Sequence, residues 1–320
     1  MSKKARSSDV EANPAVLVTG GSGYLGSSVV RHLSAAGETV VSMYRHRLPE
    51  PCARVFPVCS DLSNAELLAA PLRGVHTVIH LAWDNTFTGP GCELSSDPSE
   101  EKNLTKNIRT LKTLLQAMET AGTKRLIFMS AMGAGRHAES GFLTEKYLGE
   151  FFILNSDIPE KIILRPSVIY GGGGGRNRFI SAVRRLTRFP GFYPVPDWKE
   201  RIYPLNLNDL NQILSGLLKR NESAHPVKVI NISGQEGYQV EEILRIVSGK
   251  DGKGARIALG SLIGKTILPL VEKDFSSRTD QVGIREFLSV CGKAINDSSD
   301  NKELTEIYSG PYQKFCDSTI

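Results

Sequence analysis

The sequence predicts an α/β fold, in which a doubly wound parallel sheet is followed by a smaller C-terminal part. Two observations predict it. Short apolar runs alternate with helical patterns through the first half of the 320-residue chain, an order typical of parallel strands joined by right-handed crossovers. A glycine-rich turn also separates the first apolar run from the first helical pattern.

The alternation predicts the positions of six strands and three clear helices. The strand-like runs are short and apolar, and the helical segments between them carry apolar residues at helical spacing. The expected strands cover residues 16–18, 39–43, 53–58, 77–81, 125–129 and 161–164, and the expected helices cover about residues 27–36, 102–121 and 142–154.

The most informative stretch, residues 16–26, reads Val-Leu-Val-Thr-Gly-Gly-Ser-Gly-Tyr-Leu-Gly. Its glycines fit two registers, Gly21-x-Gly23-x-x-Gly26 or Thr19-Gly20-x-x-Gly23-x-x-Gly26. A strand, a glycine turn and a helix in this order bind a dinucleotide pyrophosphate at the helix N-terminus, whereas a glycine pattern alone can be an ordinary loop. The order predicts a nicotinamide-dinucleotide site. The candidate cofactor-binding residues in this stretch are Gly20, Gly23, Tyr24, Leu25 and Gly26.

Six further segments follow between about residues 15 and 245: Asp61-Leu62, the His-Leu-Ala-Trp of 80–83, 107–117, 126–130, 165–171 and 206–210. Together with the glycines, they resemble the short-chain dehydrogenase/reductase superfamily in its extended or atypical branch, which includes NAD-dependent epimerases and dehydratases. The last segment departs from the family's pattern, with Asn206 in place of His. The resemblance implies a Rossmann-type fold, an adenine contact at Asp61 and Leu62, and cofactor contacts at Leu81, Ala82 and Pro166.

The residues after the second strand favour NADP(H) over NAD(H). An NAD site places an Asp or Glu at this point to bind the ribose hydroxyls, whereas arginine favours the 2′-phosphate of NADP. Here the strand runs into Tyr44-Arg45-His46-Arg47, which contains no acidic residue. We therefore expect Arg45 to contact NADP(H). In the alternative interpretation, Arg45 and Arg47 are solvated cations of a loop. NAD(H) stays open as the alternative cofactor.

The catalytic position departs from the family's pattern. Short-chain dehydrogenases use Tyr-x-x-x-Lys on one helix, where the lysine lowers the pKa of the tyrosine. The match here is Phe142-Leu-Thr-Glu-Lys146, so the phenol is missing, and Tyr147 lies off that helical face. The candidate catalytic residues are therefore Lys146, which is also expected to bind the cofactor, and Ser130, since Ala131 stands where sugar epimerases carry a hydroxyl. An equally weighted alternative is that the Ser130 hydroxyl only forms a hydrogen bond with the nearby backbone.

These residues lead to one functional hypothesis and two alternatives. The hypothesis is an atypical NADP(H)-dependent reductase that transfers a hydride to a small organic substrate such as a ketone, enone, imine or quinone-like ring. The first alternative is a nucleotide-sugar epimerase or dehydratase, whose chemistry depends most on the missing tyrosine. The second is a non-catalytic NADP-binding regulatory module, which would need no proton donor.

Two breaks in the alternation divide the chain. A Gly/Pro/Ser-rich loop at 84–100 follows the fourth strand, at the sheet edge where ligands bind, and five glycines at 171–175 end the first part. We expect a disordered tail at 1–13, a dinucleotide-binding domain at 14–170, a substrate-binding part at 171–295 interleaved with the first, and a polar C-terminal tail at 296–320.

Composition narrows the partners and the compartment. A net charge of +5 is mild for this length and argues against an obligate nucleic-acid binder. Five scattered cysteines fit reduced thiols in a cytoplasmic protein and no metal site. The apolar stretch at 257–271 contains Lys265 and Pro269 and is too short for a membrane span. We expect a small-molecule substrate, with a homodimer as one option for the assembly.

Overall fold

The computed structural model describes residues 16–84, 104–138, 141–172, 177–186, 192–195, 201–220, 226–248, 255–258 and 307–315. The expected tail at 1–13 and nearly all of the loop at 84–100 lie outside these ranges, as does most of the apolar stretch at 257–271. No helix within the described ranges is long and apolar enough to cross a bilayer.

A seven-stranded parallel sheet forms the centre of the protein and confirms the predicted fold class. Its strand order is β10-β6-β5-β4-β1-β2-β3, and β7 pairs with β9 and β8 with β11 in two small parallel sheets. The strands are β1 Val16–Thr19, β2 Val40–Tyr44, β3 Val55–Cys59, β4 Thr77–His80, β5 Arg125–Met129, β6 Glu160–Pro166, β7 Ile169–Tyr170, β8 Phe192–Val195, β9 Leu205–Asn206, β10 Val227–Ile232 and β11 Ala255–Ala258.

The helices cover both faces of this sheet. They are α1 Tyr24–Ala35, α2 Glu66–Leu72, α3 Lys106–Ala121, α4 Gly141–Leu154, α5 Arg178–Leu186, α6 Leu207–Lys219 and α7 Val240–Ser248. The first helix begins three residues before its predicted start, directly after the glycine turn. The helices α2, α6 and α7 and the strands β7 to β11 were not predicted from the sequence.

Alternation along the strands directs side chains into two cores. In β1, Val16 and Val18 belong to the core shared with α1 and α6, whereas Leu17 belongs to the core shared with α2 and α3. Because both faces of the sheet are buried, the central strands are mostly apolar. The carboxyl ends of β1, β2, β3 and β4 are thereby held side by side.

Helix α6 joins this layer although it follows residue 171. It packs against α1, and Asn211 Nδ2 donates a hydrogen bond to Ser28 Oγ at 2.8 Å. Its C-terminal end is held by Arg125, whose guanidinium donates to the carbonyl of Arg220 at 3.1 Å and forms a buried ion pair with Glu160. The sheet layer therefore includes elements from both parts of the sequence.

Residues 307–315, within the range for which the sequence predicts a polar tail, pack against the body of the protein. Phe315 is only 1% exposed, and its ring centroid lies 4.8 Å from that of Tyr170. The Asp209 carboxylate of α6 accepts a hydrogen bond from the Gln313 N–H at 3.0 Å, and burial raises its pKa. Tyr308 donates to the same carboxylate. This segment is therefore part of the folded structure.

Replacement of Phe315 by alanine removes a fully buried ring, and we expect it to lower the free energy of unfolding by about 3 kcal/mol. The matched control is Phe56→Ala, because Phe56 is 55% exposed in β3 and should change the same quantity little. Urea unfolding of the two variants measures the difference. Equal effects of both substitutions would contradict the packing described for residues 307–315.

Candidate functional site

The glycine turn after β1 has almost no room for side chains. Gly20 has φ +71°, a conformation that glycine adopts without strain, and the Gly23 N–H donates to its carbonyl at 2.9 Å. A Cβ at Gly26 would lie 2.0 Å from the Gly20 carbonyl oxygen, and one at Gly21 would lie 2.1 Å from Ser42 Oγ. The structure thus brings Gly20, Gly21, Gly23 and Gly26 together in one turn, which is compatible with both registers.

The N-terminus of α1 opens at this turn. Gly23 is the N-cap residue, no side chain caps the helix, and its first turn contains no acidic residue. The first N–H groups of a helix have no intrahelical acceptor and attract anions. The uncapped N-terminus of α1, at the end of β1, is therefore suited to an anion.

A buried threonine joins the ends of β1 and β4. Thr19 Oγ1 accepts hydrogen bonds from the N–H groups of Leu81 and Ala82, both at 3.2 Å. It also forms a hydrogen bond with His80 Nδ1, 2.7 Å away. Burial lowers the pKa of His80 to about 3, with a smaller effect from Lys146, so the ring is neutral. This link fixes the backbone at Leu81 and Ala82 beside the turn.

A cleft of about 350 Å³ lies along the carboxyl ends of these strands. It contains seven of the predicted cofactor-binding residues: Gly20, Gly23, Arg45, Asp61, Leu62, Leu81 and Ala82. Trp83, Asp84 and the first turns of α3 line its other end. Residues that are spread from Thr19 to Thr110 in the sequence therefore meet in one place.

The cleft is cationic beside β2. Arg45, His46 and Arg47 are exposed where β2 ends, and all three line the cleft. The pKa of Asp61 is lowered by the hydrogen bond from the Ser63 N–H at 3.0 Å, and by the nearby cations Lys106 and Arg45. The rim next to the glycine turn is suited to a negatively charged group.

Three further predicted cofactor residues lie beside the cleft and do not line it. Tyr24 donates to the Gly171 carbonyl at 2.7 Å and accepts from Asn177 Nδ2 at 2.8 Å, and burial raises its pKa. Leu25 packs against the core shared with α1. Pro166 ends β6, where its carbonyl accepts from Met132 N–H at 2.9 Å. Their contact with a cofactor stays a prediction.

Lys146 is enclosed by aromatic rings. Its Nζ donates to the Met129 carbonyl at 2.7 Å and lies 4.0 Å from the ring centroid of Trp83. The centroids of Phe128 and Phe142 follow at 4.9 and 5.8 Å. Burial lowers the pKa of Lys146 to about 7, although Glu145 and Glu150 favour its charged form. The side chain is 5% exposed and does not line the cleft.

Ser130 is bound to a carboxylate. Its Oγ donates to Glu150, which also accepts from Arg165 Nε at 2.9 Å and forms an ion pair with the same guanidinium. Ser130 and Glu150 are both buried, and Ser130 lies outside the residues that line the cleft. The two predicted catalytic residues therefore flank Glu150, and their catalytic role stays a prediction.

The sequence analysis missed a cluster at the far end of the cleft. Trp83 Nε1 and Asn107 Nδ2 both donate to Glu145 Oε2, each at 2.9 Å. Asn107 also exchanges two hydrogen bonds of 2.8 Å with the backbone of Asp84. Trp83 and Asn107 lie in segments that resemble the family's, but nothing in their spacing shows that they meet at Glu145.

The parallel sheet, the glycine turn and the cleft at the strand ends define a Rossmann-type α/β protein. The family model described as "NAD dependent epimerase/dehydratase family" matches residues 16–150. A UDP-glucose 4-epimerase from Streptomyces lividans is 34% identical over 72% of this chain and 79% of its own length. The chain belongs to the NAD-dependent epimerase/dehydratase family. This confirms the resemblance to the extended branch of the superfamily.

Two other similarities are more limited. A 3-beta-hydroxysteroid dehydrogenase from Mycolicibacterium neoaurum is 29% identical over 49% of this chain, and the chain spans about half, 48%, of that protein. The structure of an NADPH-dependent quinone oxidoreductase from Escherichia coli, complexed with NADPH, matches with a TM-score of 0.67 and 17% identity. That match covers 94% of this chain and 97% of the oxidoreductase, and it shows a shared fold.

The burial of Lys146 predicts a pH dependence of stability. Its pKa is about 7 in the folded protein and 10.5 ordinarily, so between these values the unfolded chain binds more protons. The free energy of unfolding should therefore rise as the pH increases from about 7 to about 9. Lys146→Met should flatten this rise, which urea unfolding at the two pH values measures.

The control for this measurement is Lys106→Met. Lys106 is an exposed lysine that lines the cleft, and its replacement should leave the wild-type rise in place. A rise that persists in Lys146→Met, or that disappears in both variants, would show that the burial of Lys146 does not set this pH dependence.

Proposed function

We propose that the chain binds NADP(H) in the cleft and acts as an atypical reductase on a small organic substrate. The observation that carries the proposal is the pairing of the uncapped N-terminus of α1 with the exposed Arg45 and Arg47 in one cleft. The helix end suits a pyrophosphate, and the guanidinium groups suit a 2′-phosphate. Lys106, which is exposed, is a further cation among the described residues that line the cleft.

The strand order suggests how the dinucleotide would lie. The order reverses between β1 and β4, which is where Rossmann-type sheets hold a dinucleotide. The adenosine half would lie over β1, β2 and β3, beside Arg45 and Asp61, and the nicotinamide half over β4, β5 and β6. In this orientation the nicotinamide half points toward Trp83 and Lys146.

Lys146 is the residue we propose as proton donor. When bound, NADPH supplies a hydride, and reduction of a C=O or C=N bond also needs one proton at the heteroatom. Phe142 has no proton to give. A lysine with a pKa of about 7 is partly protonated near neutral pH, where a general acid works well. Phe128 and Phe142 keep water from the ammonium.

A second function, NADP(H) binding without turnover, is favoured by the enclosure of Lys146. The ammonium lies near three rings and donates to a backbone carbonyl. Among the described residues that line the cleft, the one phenol is that of Tyr44, at the end of β2. The relative from Streptomyces lividans is named an epimerase. Sugar epimerisation depends on a tyrosinate, which makes Phe142 hard to reconcile with that activity in this chain.

Cofactor preference tests the first half of the proposal. We expect NADPH to bind at least about tenfold tighter than NADH, because a charge-assisted hydrogen bond to phosphate contributes about 1.5–3 kcal/mol. Arg45→Asp should remove or reverse this preference, as followed by titration of cofactor fluorescence. Arg73→Asp is the matched control, since Arg73 is exposed and does not line the cleft. An Arg45→Asp protein that still prefers NADPH would contradict the assignment.

Turnover tests the second half. NADPH oxidation is followed with ketone, enone, imine, quinone and sugar-nucleotide substrates for the wild type, Lys146→Ala, Lys146→Met and Phe142→Tyr. Loss of the ammonium should lower turnover at least about a hundredfold, the usual scale for a positioned proton donor. Phe142→Tyr should be silent or modestly activating.

The outcomes separate the candidate functions. Turnover that is unchanged in Lys146→Ala would remove Lys146 from the mechanism and leave the cofactor assignment in place. NADPH binding without oxidation in any variant, on any of these substrates, would favour the non-catalytic function.

A further inference from the structure

Trp83 occupies the boundary between the two halves of the proposed dinucleotide site. It lines the cleft on one side, and on the other its ring covers the Lys146 ammonium at 4.0 Å. Its Nε1 donates to Glu145 at 2.9 Å, and its ring also lies 5.5 Å from that of Phe128. Two interactions therefore hold the indole: the Lys146 ammonium against its ring, and the hydrogen bond from Nε1 to Glu145.

The residues that line the cleft agree with this position of Trp83. Its described lining comes from the ends of β1, β2, β3 and β4 and from the start of α3. None of the described residues of β5, β6 or α4 lines it. The open part of the site thus corresponds to the adenosine and pyrophosphate half, and the strand ends that would hold the nicotinamide half lie beyond Trp83.

The packing makes specific room for the indole. Gly149 lies inside α4, where glycine is unfavourable by about 1 kcal/mol relative to alanine. A Cβ there would lie 3.1 Å from Trp83 Cη2 and 3.3 Å from Phe128 Cζ. Glycine at position 149 therefore leaves space for the Trp83 ring, although it lowers the helix propensity of α4.

We propose that Trp83 determines how much of the dinucleotide binds: with the indole over Lys146, the cleft takes the adenosine-phosphate half, and the nicotinamide half enters only when the indole moves. The inference rests on the proposed function, since it assumes a dinucleotide in this cleft. In this arrangement the cleft holds the adenosine-phosphate half while the indole still shields Lys146. The nicotinamide and the ammonium meet only in the displaced state.

The test compares two ligands, NADP⁺ and 2′,5′-ADP, which has the adenosine half alone. Displacement of the indole reduces the apparent affinity for the whole dinucleotide only. In the wild type we expect NADP⁺ to bind within about threefold of 2′,5′-ADP. In Trp83→Ala, NADP⁺ should bind at least about tenfold tighter than in the wild type, because no displacement is needed, with 2′,5′-ADP unchanged. Calorimetry measures both affinities.

Trp83→Phe and a fluorescence measurement keep the test informative if Trp83→Ala does not fold. The smaller ring should give an intermediate gain for NADP⁺ and none for 2′,5′-ADP. In a Trp198→Phe background, Trp83 is the one tryptophan left in the sequence. Its emission maximum should shift on addition of NADP⁺ and stay in place with 2′,5′-ADP.

The possible failures are distinct. If neither ligand binds to any variant, the proposed function fails, and this inference fails with it. If both ligands bind, this inference alone is overturned by either of two results. One is that NADP⁺ binds the wild type far more tightly than 2′,5′-ADP does, and the other is that the Trp83 substitutions leave the ratio of the two affinities unchanged. The same holds if the Trp83 emission maximum responds equally to the two ligands.

Discussion

The burial of one ammonium group, that of Lys146, is the constraint on which the surroundings of the site depend. A cation removed from water needs acceptors or aromatic faces, and Met129 and Trp83 provide them. Glu145 and Glu150 balance its charge, and each carboxylate is in turn held by donors from other elements. A single buried charge thus connects α3, α4 and the ends of β4, β5 and β6.

The central sheet could be predicted from the sequence because strands buried on both faces form short, mostly apolar runs. The edge strand β10 could not, since Val227 and Val229 are 45% and 38% exposed and polar residues interrupt the run. The packing of residues 307–315 could not be predicted from the sequence either. It depends on a contact of Phe315 with Tyr170, which lies far away in the sequence.

In the site, local features could be predicted and contacts between elements could not. The glycine turn is encoded by residues a few positions apart, and the cationic stretch after β2 follows directly from the chain. The cluster of Trp83, Asn107 and Glu145 depends on how three elements pack, which spacing within one segment does not encode. Lys146 could be identified on its helix, whereas its aromatic enclosure required the fold.

The inclusion of β10 and α6 in the sheet layer means that the part of the chain up to residue 170 does not contain the whole layer. Without β10, the backbone of β6 would become an open sheet edge, ready to pair with another chain. Without α6, the buried face of α1 around Val29 and Leu33 would be exposed to water. A fragment ending at the glycine run would therefore tend to aggregate. The late elements β10 and α6 cover an edge and an apolar face of the early part of the chain.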